Sequence, residues 1–155
     1  MSERIYLDYN ATTPAKPEVI EVIVEILARG GNASSIHQSG RSASSAVEEA
    51  RASLADLVGA ATEEILFTGS GTEANNQALR CSGRQRVLCS AIEHESVMFA
   101  HPDPIPLPVG VNGILDLDAL DRELSESNEP AVVAVMLANN ETGVIQPIAQ
   151  AANIC

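Results

Sequence analysis

One stretch of sequence decides the fold, and it reads Ile65-Leu66-Phe67-Thr68-Gly69-Ser70-Gly71-Thr72-Glu73-Ala74-Asn75-Asn76. A short β-prone run passes through glycines into a helix-compatible segment, so we predict a strand over 65–68, a turn over 69–71 and a helix from Glu73 to about Arg80. Glycines let the backbone turn tightly and aim successive N–H groups at one point, and the helix N-terminus adds partial positive charge there. The stretch therefore predicts a phosphate-binding turn, to which Thr72 adds a hydroxyl donor.

Other interpretations of this turn remain open. It is not a P-loop, because no Gly-Lys-Ser/Thr follows the glycines and the chain has one lysine, Lys16. Gly69, Gly71 and Ala74 also satisfy the G-x-G-x-x-G/A pattern of dinucleotide-binding domains, and Glu93 lies about where the ribose-binding acid belongs. In that fold the first strand usually opens the domain, whereas two helical segments precede it here. An ordinary glycine-rich turn between a strand and a helix is the third possibility.

Outward from this stretch, helices and strands alternate. Before it, apolar residues at helical spacing predict one helix from Pro17 to the glycines at 30–31 and a second over about 43–58. After it, the pattern predicts a strand over 87–92 and a buried strand, hydrophobic on both faces, over 131–138. It also predicts a proline-rich connector or edge over 102–109, a helix from Asp116 or Asp118 to about Ser127, and a helix starting at Pro147. We therefore predict an α/β fold with a mostly parallel sheet and flanking helices. The last helix has no strand after it, so we expect the domain to be incomplete at the C-terminus.

Polar residues follow two of the predicted strands. Glu93 and His94 come after the strand at 87–92, and Asn139-Asn140-Glu141-Thr142-Gly143 comes after the strand at 131–138. Because the carboxyl ends of parallel strands meet at one edge of a sheet, we expect both loops beside the phosphate-binding turn. His94 could stack on a flat ring and move protons near neutral pH. Taken singly, however, such a histidine is more often a cap, and residues 139–143 are a polar turn with Gly143 as the special-φ residue.

Composition narrows the class of partner. The 155 residues include 9 Lys or Arg against 21 Asp or Glu, a formal net charge of −12, which argues against nucleic acid and anionic membrane surfaces as partners. No apolar run approaches the ~18 residues of a membrane span, and the N-terminus shows no secretory signal. Cys81, Cys89 and Cys155 lack metal-site spacing, which favours reduced thiols. We expect a cytoplasmic protein without a metal site.

In combination, these segments resemble the cysteine desulfurases of the class V aminotransferase group, fold-type-I enzymes that use pyridoxal 5′-phosphate (PLP). The matching segments cover nearly the whole chain, in the family's order. They are Tyr6-Leu7-Asp8-Tyr9-Asn10-Ala11-Thr12-Thr13-Pro14, Gly31-Asn32-Ala33-Ser34-Ser35-Ile36-His37, residues 67–76, Glu93-His94 and residues 139–143. The resemblance is closer to the branch that supplies sulfur for iron–sulfur clusters than to the selenocysteine-lyase-like branch.

The resemblance implies a role for each candidate site residue. Gly71 and Thr72 would bind the PLP phosphate, His94 would stack on the ring and serve in acid–base steps, and Asn140 would contact the ring's substituent oxygen. It also implies that residues 1–16 join the small domain and that residues 17–155 form the first half of the PLP-binding large domain. The whole enzyme would convert L-cysteine to L-alanine, hold the sulfur as a persulfide for a sulfur-acceptor or iron–sulfur scaffold protein, and form a homodimer.

Some family features have no counterpart in these 155 residues. In the family pattern, the lysine that holds the cofactor, the aspartate beside the pyridine nitrogen, the sulfur-carrying cysteine and the arginine for the substrate carboxylate lie beyond residue 155. Neither Lys16 nor Cys155 matches these positions, Ala33 stands where proline is common, and the connector over 101–110 is short. We therefore expect the N-terminal part of a cysteine desulfurase, inactive by itself. The alternatives are a non-catalytic binding or structural fragment and a dinucleotide-binding half domain.

Overall fold

The computed structural model describes residues 5–155, and the chain divides into two compact units. The N-terminal unit runs to Phe67, and the C-terminal unit is Thr68–Cys155. The expected boundary between a small-domain segment, 1–16, and a large domain, 17–155, remains a prediction. Among the described residues, no helix is long and apolar enough to cross a membrane.

The N-terminal unit contains the two helices that the sequence predicts. Helix α1 is Pro17–Arg29, with Pro at its first position and Gly30 as its C-cap at φ 61°. Helix α2 is Gln38–Val58, so it begins before the first predicted apolar position, and the His37 side chain caps it by accepting from the Gly40 N–H at 3.3 Å. A Cβ at Gly40 would lie 2.1 Å from the Ser35 carbonyl oxygen, so this close approach requires glycine. A 3₁₀ helix, Thr62–Glu64, follows.

The strand predicted over 65–68 is wrong. Residues 65–68 form no ladder with any strand of the described chain, and a β-strand exists only through pairing with a neighbour. Arg51 contacts this segment instead, donating to the Ile65 carbonyl and placing its guanidinium carbon 5.1 Å from the centroid of the Phe67 ring. The segment therefore has β-prone residues but no neighbouring strand with which to pair.

The C-terminal unit alternates helices and strands as predicted. Its elements are α3 (Gly71–Arg80), β1 (Arg86–Ser90), α4 (Glu95–Met98), β2 (Ile105–Leu107), α5 (Leu117–Ser125), β3 (Ala131–Ala134) and α6 (Ile148–Ile154). The sheet has the order β2-β1-β3, and both strand pairs are parallel. The prediction of a parallel α/β sheet with flanking helices is confirmed.

The core lies on both faces of β1. Consecutive strand residues point to opposite faces, so Val87 and Cys89 pack into one cluster and Leu88 into another, all fully buried. The first cluster adds Leu79, Val97 and Ala100 from the α3 and α4 side, and the second adds Leu107, Leu115, Leu120 and Ala151 from β2, α5 and α6. This arrangement makes β1 the central strand, whose carboxyl end carries Glu93 and His94.

One of the two outer strands agrees with the sequence prediction and the other differs from it. The proline-rich segment does form an edge strand, as predicted, with Pro106 opposite Cys89. The strand predicted as buried over 131–138 is shorter, and all four β3 residues are only half-buried. Because β3 pairs with β1 on one side only, its other side has no strand against it within residues 5–155. The prediction of a fully buried strand is therefore wrong.

Candidate functional site

Side-chain caps lock the turn that leads into α3. The Ser70 hydroxyl accepts from the Glu73 N–H at 3.1 Å, and the Glu73 carboxylate accepts from the Gly69 N–H at 2.7 Å. The Thr68 hydroxyl donates to the Ser70 carbonyl at 3.0 Å. These reciprocal contacts start the helix at Gly71, two residues earlier than predicted, so the predicted phosphate-binding residues form its first turn.

That first turn has the chemistry to bind an anion. The opening N–H groups of an α-helix have no acceptor within the helix, and the N-terminus carries the positive end of the helix dipole. Gly71 and Thr72 are the first two residues of α3, and a Cβ at Gly71 would meet no atom within 4 Å. The space beside Gly71 is therefore open, and an anion placed there would lie near the opening N–H groups of α3.

A cavity of about 280 Å³ joins this turn to the start of α4. Its lining includes Thr72 and Asn76 from α3 and His94 and Phe99 from the segment around α4. The structure thus brings Thr72 and His94, which the sequence predicts separately, to one cavity.

His94 caps α4. Its Nδ1 accepts from the Ser96 N–H at 3.0 Å and lies 2.8 Å from the Ser96 hydroxyl oxygen. The capping interpretation of this histidine is therefore correct, and it does not exclude the functional one, because the same ring borders the cavity. Capping fixes the ring in one orientation, which a stacking or proton-transfer role requires.

Glu93 links the ends of two neighbouring strands. Its Oε1 accepts from the Met136 N–H at 2.6 Å, just beyond β3. Burial raises the pKa of the Glu93 carboxyl, while the Met136 N–H and the nearby His94 act in the opposite direction. Burial, with a smaller contribution from Glu93, also raises the pKa of the Cys89 thiol. Glu93 therefore has a structural role at the sheet edge, which weakens the interpretation of it as a ribose-binding acid.

Residues 139–143 form the polar turn that the sequence predicts. The buried Asn139 side chain accepts from the N–H groups of Glu141 and Thr142 at 2.9 and 2.8 Å, and Gly143 adopts φ 73°. Asn139 Nδ2 also donates to the Ile92 carbonyl at 3.1 Å, so this loop lies beside the one that carries His94, as expected. Asn140 is exposed in the loop and is not among the residues that line the cavity of Thr72 and His94.

Sequence reasoning missed three residues that organise the site. Asn75 donates from Nδ2 to the Ser96 hydroxyl oxygen at 2.8 Å, Ser96 contacts His94, and Asn139 anchors its loop. Asn75 and Ser96 are 21 positions apart, and no periodicity or motif in one sequence signals such a pair. An Asn at the start of a turn is the only local signal, and it pointed equally to Asn139 and Asn140.

The other residues that the sequence singles out have local contacts within their own units. In the N-terminal unit, the Tyr6 hydroxyl donates to the Asp8 carbonyl at 2.8 Å, and Lys16 is the N-cap residue of α1. Cys81 and Cys155 are exposed and Cys89 is buried, all as free thiols. Within residues 5–155, no three His, Cys, Asp or Glu side chains cluster as metal ligands would.

Comparison with known proteins decides the family. The model of the family described as Aminotransferase class-V matches residues 5–155. The chain belongs to the class-V aminotransferase family. This finding confirms the resemblance drawn from the motifs.

Among curated relatives, this class-V chain is 38% identical to an IscS-like cysteine desulfurase of Mycobacterium tuberculosis, over 94% of the chain and 41% of that protein. It is 37% identical to the cysteine desulfurase IscS of Dictyoglomus turgidum, over 99% of the chain and 42% of that protein. Among solved structures, a NifS-like protein from Rickettsia africae aligns with a TM-score of 0.88 at 38% identity, covering 98% of the chain and 44% of the other. The chain therefore spans about two fifths of the length of the relatives it matches.

Proposed function

We propose that this chain is the N-terminal part of a cysteine desulfurase, which uses PLP to convert L-cysteine to L-alanine and an enzyme-bound persulfide for iron–sulfur cluster assembly. Membership of the class-V family and the printed names of the relatives support the reaction class. The observation that carries the assignment to this site is the shared cavity of Thr72 and His94 at the starts of α3 and α4.

The residues present fit a phosphate ester attached to a flat ring. The N–H groups of Gly71 and Thr72 and the Thr72 hydroxyl would hold the phosphate at the start of α3. His94, fixed by its contacts with Ser96, would pack against the ring and exchange a proton through Nε2. Asn140 would donate to the ring's substituent oxygen from the loop after β3. When bound, PLP supplies the electron sink that this chemistry needs.

Turnover requires residues that these 155 do not supply. Lys16, the one lysine, occupies the N-cap position of α1, where the family's cofactor-holding lysine does not occur. We expect the chain to bind PLP without releasing alanine from L-cysteine. The whole protein would act as a cytoplasmic homodimer that passes sulfur to an acceptor or iron–sulfur scaffold protein.

PLP titration of the 155-residue chain tests the site. The background substitution Lys16→Arg removes the side-chain amine that could react with PLP elsewhere, and binding is followed by cofactor absorbance and fluorescence. Thr72→Ala and His94→Ala should each weaken binding by roughly tenfold, since each removes one strong contact. His101→Ala is the matched control, because His101 Nδ1 likewise accepts the N–H two residues ahead, from Asp103 at 3.2 Å, outside the cavity.

Four results would contradict the proposal. Equal PLP affinity in wild type, Thr72→Ala and His94→Ala would place binding elsewhere. Binding of NAD in place of PLP would favour the dinucleotide-binding alternative, and binding of neither would favour a non-catalytic fragment. Alanine release from cysteine and PLP by the chain alone would contradict its expected inactivity.

A further inference from the structure

Hydrogen-bond contacts link three side chains, those of Asn75 in α3, Ser96 and His94. Asn75 Nδ2 donates to the Ser96 hydroxyl oxygen at 2.8 Å, and that oxygen lies 2.8 Å from His94 Nδ1. The Ser96 backbone N–H also reaches Nδ1, at 3.0 Å. Ser96 is 9% exposed, so water has little access to this chain of contacts.

Donor and acceptor chemistry assigns the proton on the His94 ring. A backbone N–H can only donate, so Nδ1 must offer a lone pair to the Ser96 N–H. The Asn75 amide occupies a lone pair of the Ser96 hydroxyl oxygen, which leaves the hydroxyl proton to point at Nδ1 as well. Two donors then meet Nδ1, and the neutral ring carries its own proton on Nε2. No residue of the described chain hydrogen-bonds His94 Nε2.

We infer that Asn75 and Ser96 are positioning residues that hold His94 in the neutral tautomer with the proton on Nε2, so that the ring presents a donor N–H to the cavity it lines. The consequence for catalysis rests on the proposed function, in which His94 acts on a bound cofactor. The tautomer itself does not depend on any cofactor, because all three side chains belong to the chain.

The amide of Asn75 sets the direction in which the Ser96 hydroxyl proton points. Asn75→Asp keeps the shape of the side chain but replaces its donor with an acceptor, so the Ser96 hydroxyl turns its proton toward the new carboxylate. The Ser96 oxygen then faces His94 Nδ1 with a lone pair and favours a proton on Nδ1. Gln77→Glu is the matched control, since it also converts an amide to a carboxylate on α3, at an exposed position that does not line the cavity of His94.

Nitrogen-15 NMR of the histidine rings measures the tautomer directly. The chain has three histidines, and His37 and His101 also accept a backbone N–H at Nδ1, at 3.3 and 3.2 Å, without a described serine and asparagine behind them. With labelled histidine at a pH where the rings are neutral, wild type should show the His94 proton on Nε2. Asn75→Asp should lower the ratio of Nε2–H to Nδ1–H at His94 by about tenfold, the effect of reversing one charge-assisted hydrogen bond.

Ser96→Ala completes a double-mutant cycle. The remaining backbone N–H of residue 96 keeps the His94 proton on Nε2, but Asn75 is no longer coupled to the ring. In that background, Asn75→Asp should change the tautomer no more than Gln77→Glu does. A wild-type proton on Nδ1, a peptide-like mixture of tautomers, or equal effects of Asn75→Asp and Gln77→Glu with Ser96 in place would overturn the inference.

The outcome is separable from that of the proposed function. PLP affinity is measured on the same variants. The expected tautomer without PLP binding would refute the cofactor site while leaving intact the relay, that is, the hydrogen-bonded side chains of Asn75, Ser96 and His94. PLP binding with an unchanged tautomer in Asn75→Asp would refute the relay and leave the cofactor site intact.

Discussion

Glu93 shows how one residue can serve the site without facing a ligand. It connects the segment after β1 to the segment after β3 through its 2.6 Å contact with the Met136 N–H. Asn139 makes a second connection to the same segment, through the Ile92 carbonyl. These two contacts hold the loops of adjacent strands at a fixed distance, and His94 lies next to the first of them.

Ionising Glu93 should lower stability as the pH rises. Burial raises the pKa of this carboxyl, so above about pH 4.5, its ordinary pKa, the folded chain retains a proton that the unfolded chain has released. Stability therefore falls as the pH rises through that window. Glu93→Gln keeps an oxygen for the Met136 N–H and removes the ionisation, so we expect a flatter dependence of the urea midpoint on pH. The exposed Glu95→Gln is the control, and equal slopes in wild type and Glu93→Gln would contradict the prediction.

At the level of residues, motif chemistry found part of the site. Thr72 and His94 stand in local sequence patterns, and they line one cavity, as expected. Gly71 begins the helix that carries Thr72. The side chains behind them, Asn75 and Ser96, are joined only by tertiary contact. The roles proposed for Gly71, Thr72, His94 and Asn140 toward PLP remain predictions.

Three helices of the C-terminal unit begin where side chains cap them. Ser70 starts α3 and His94 starts α4, and Asp116 starts α5 by accepting the Ala119 N–H at 2.9 Å. The α5 cap lies away from the candidate site, so its energetic contribution can be measured without disturbing ligand contacts. Helix α5 supplies Leu120, a fully buried core residue, which couples its stability to that of the sheet.

Removal of the α5 cap should destabilise the fold by a measurable amount. Asp116→Ala leaves the Ala119 N–H without its acceptor, and we expect a loss of about 1 kcal/mol in the free energy of unfolding. Urea denaturation measures the loss. Asp121→Ala, an exposed position within the same helix, controls for charge and should change stability by less than about 0.5 kcal/mol. Equal effects of the two substitutions would show that the cap contributes nothing.

Strands were predicted less well than helices because a strand depends on its partner. Helix bounds agree with the sequence pattern to within a few residues, since helix hydrogen bonds close within the segment itself. The segment 65–68 has strand-like residues but no ladder, and β3 stops at Ala134, four residues short of the prediction. In both cases the residues favour a β-strand, but pairing with a neighbouring strand decides whether a strand forms and how long it is.

At the scale of the whole molecule, the buried core is concentrated in one unit. Both core clusters consist of residues from 79 onward, whereas α1 has no buried residue. Helix α1 exposes a row of large apolar side chains, namely Val19, Ile20, Val22, Ile23, Val24, Ile26 and Leu27. Because burial of apolar surface drives folding, the two units should differ strongly in their ability to fold alone.

Residues 68–155 should fold without the N-terminal unit. They contain the sheet and both core clusters, so we expect dispersed NMR signals and a cooperative urea transition from this segment alone. Residues 5–67 made separately are the comparison, and they should show no cooperative transition. A disordered spectrum for 68–155, or cooperative unfolding of 5–67, would contradict the assignment of stability to the C-terminal unit.

The sequence by itself determined the helices, the class of fold and the family, because helical periodicity, turn glycines and ordered motifs are local properties of the chain. It also determined the capped glycine turn before α3, since glycine and capping residues act within a few positions of one another. Only the tertiary structure decided which strand-like segments pair, that Glu93 and Asn139 tie two loops together, and that Asn75 and Ser96 stand behind His94. These contacts join groups that are many residues apart in the sequence. Packing around β1 brings them together, and the residues adjacent to each group in the sequence do not.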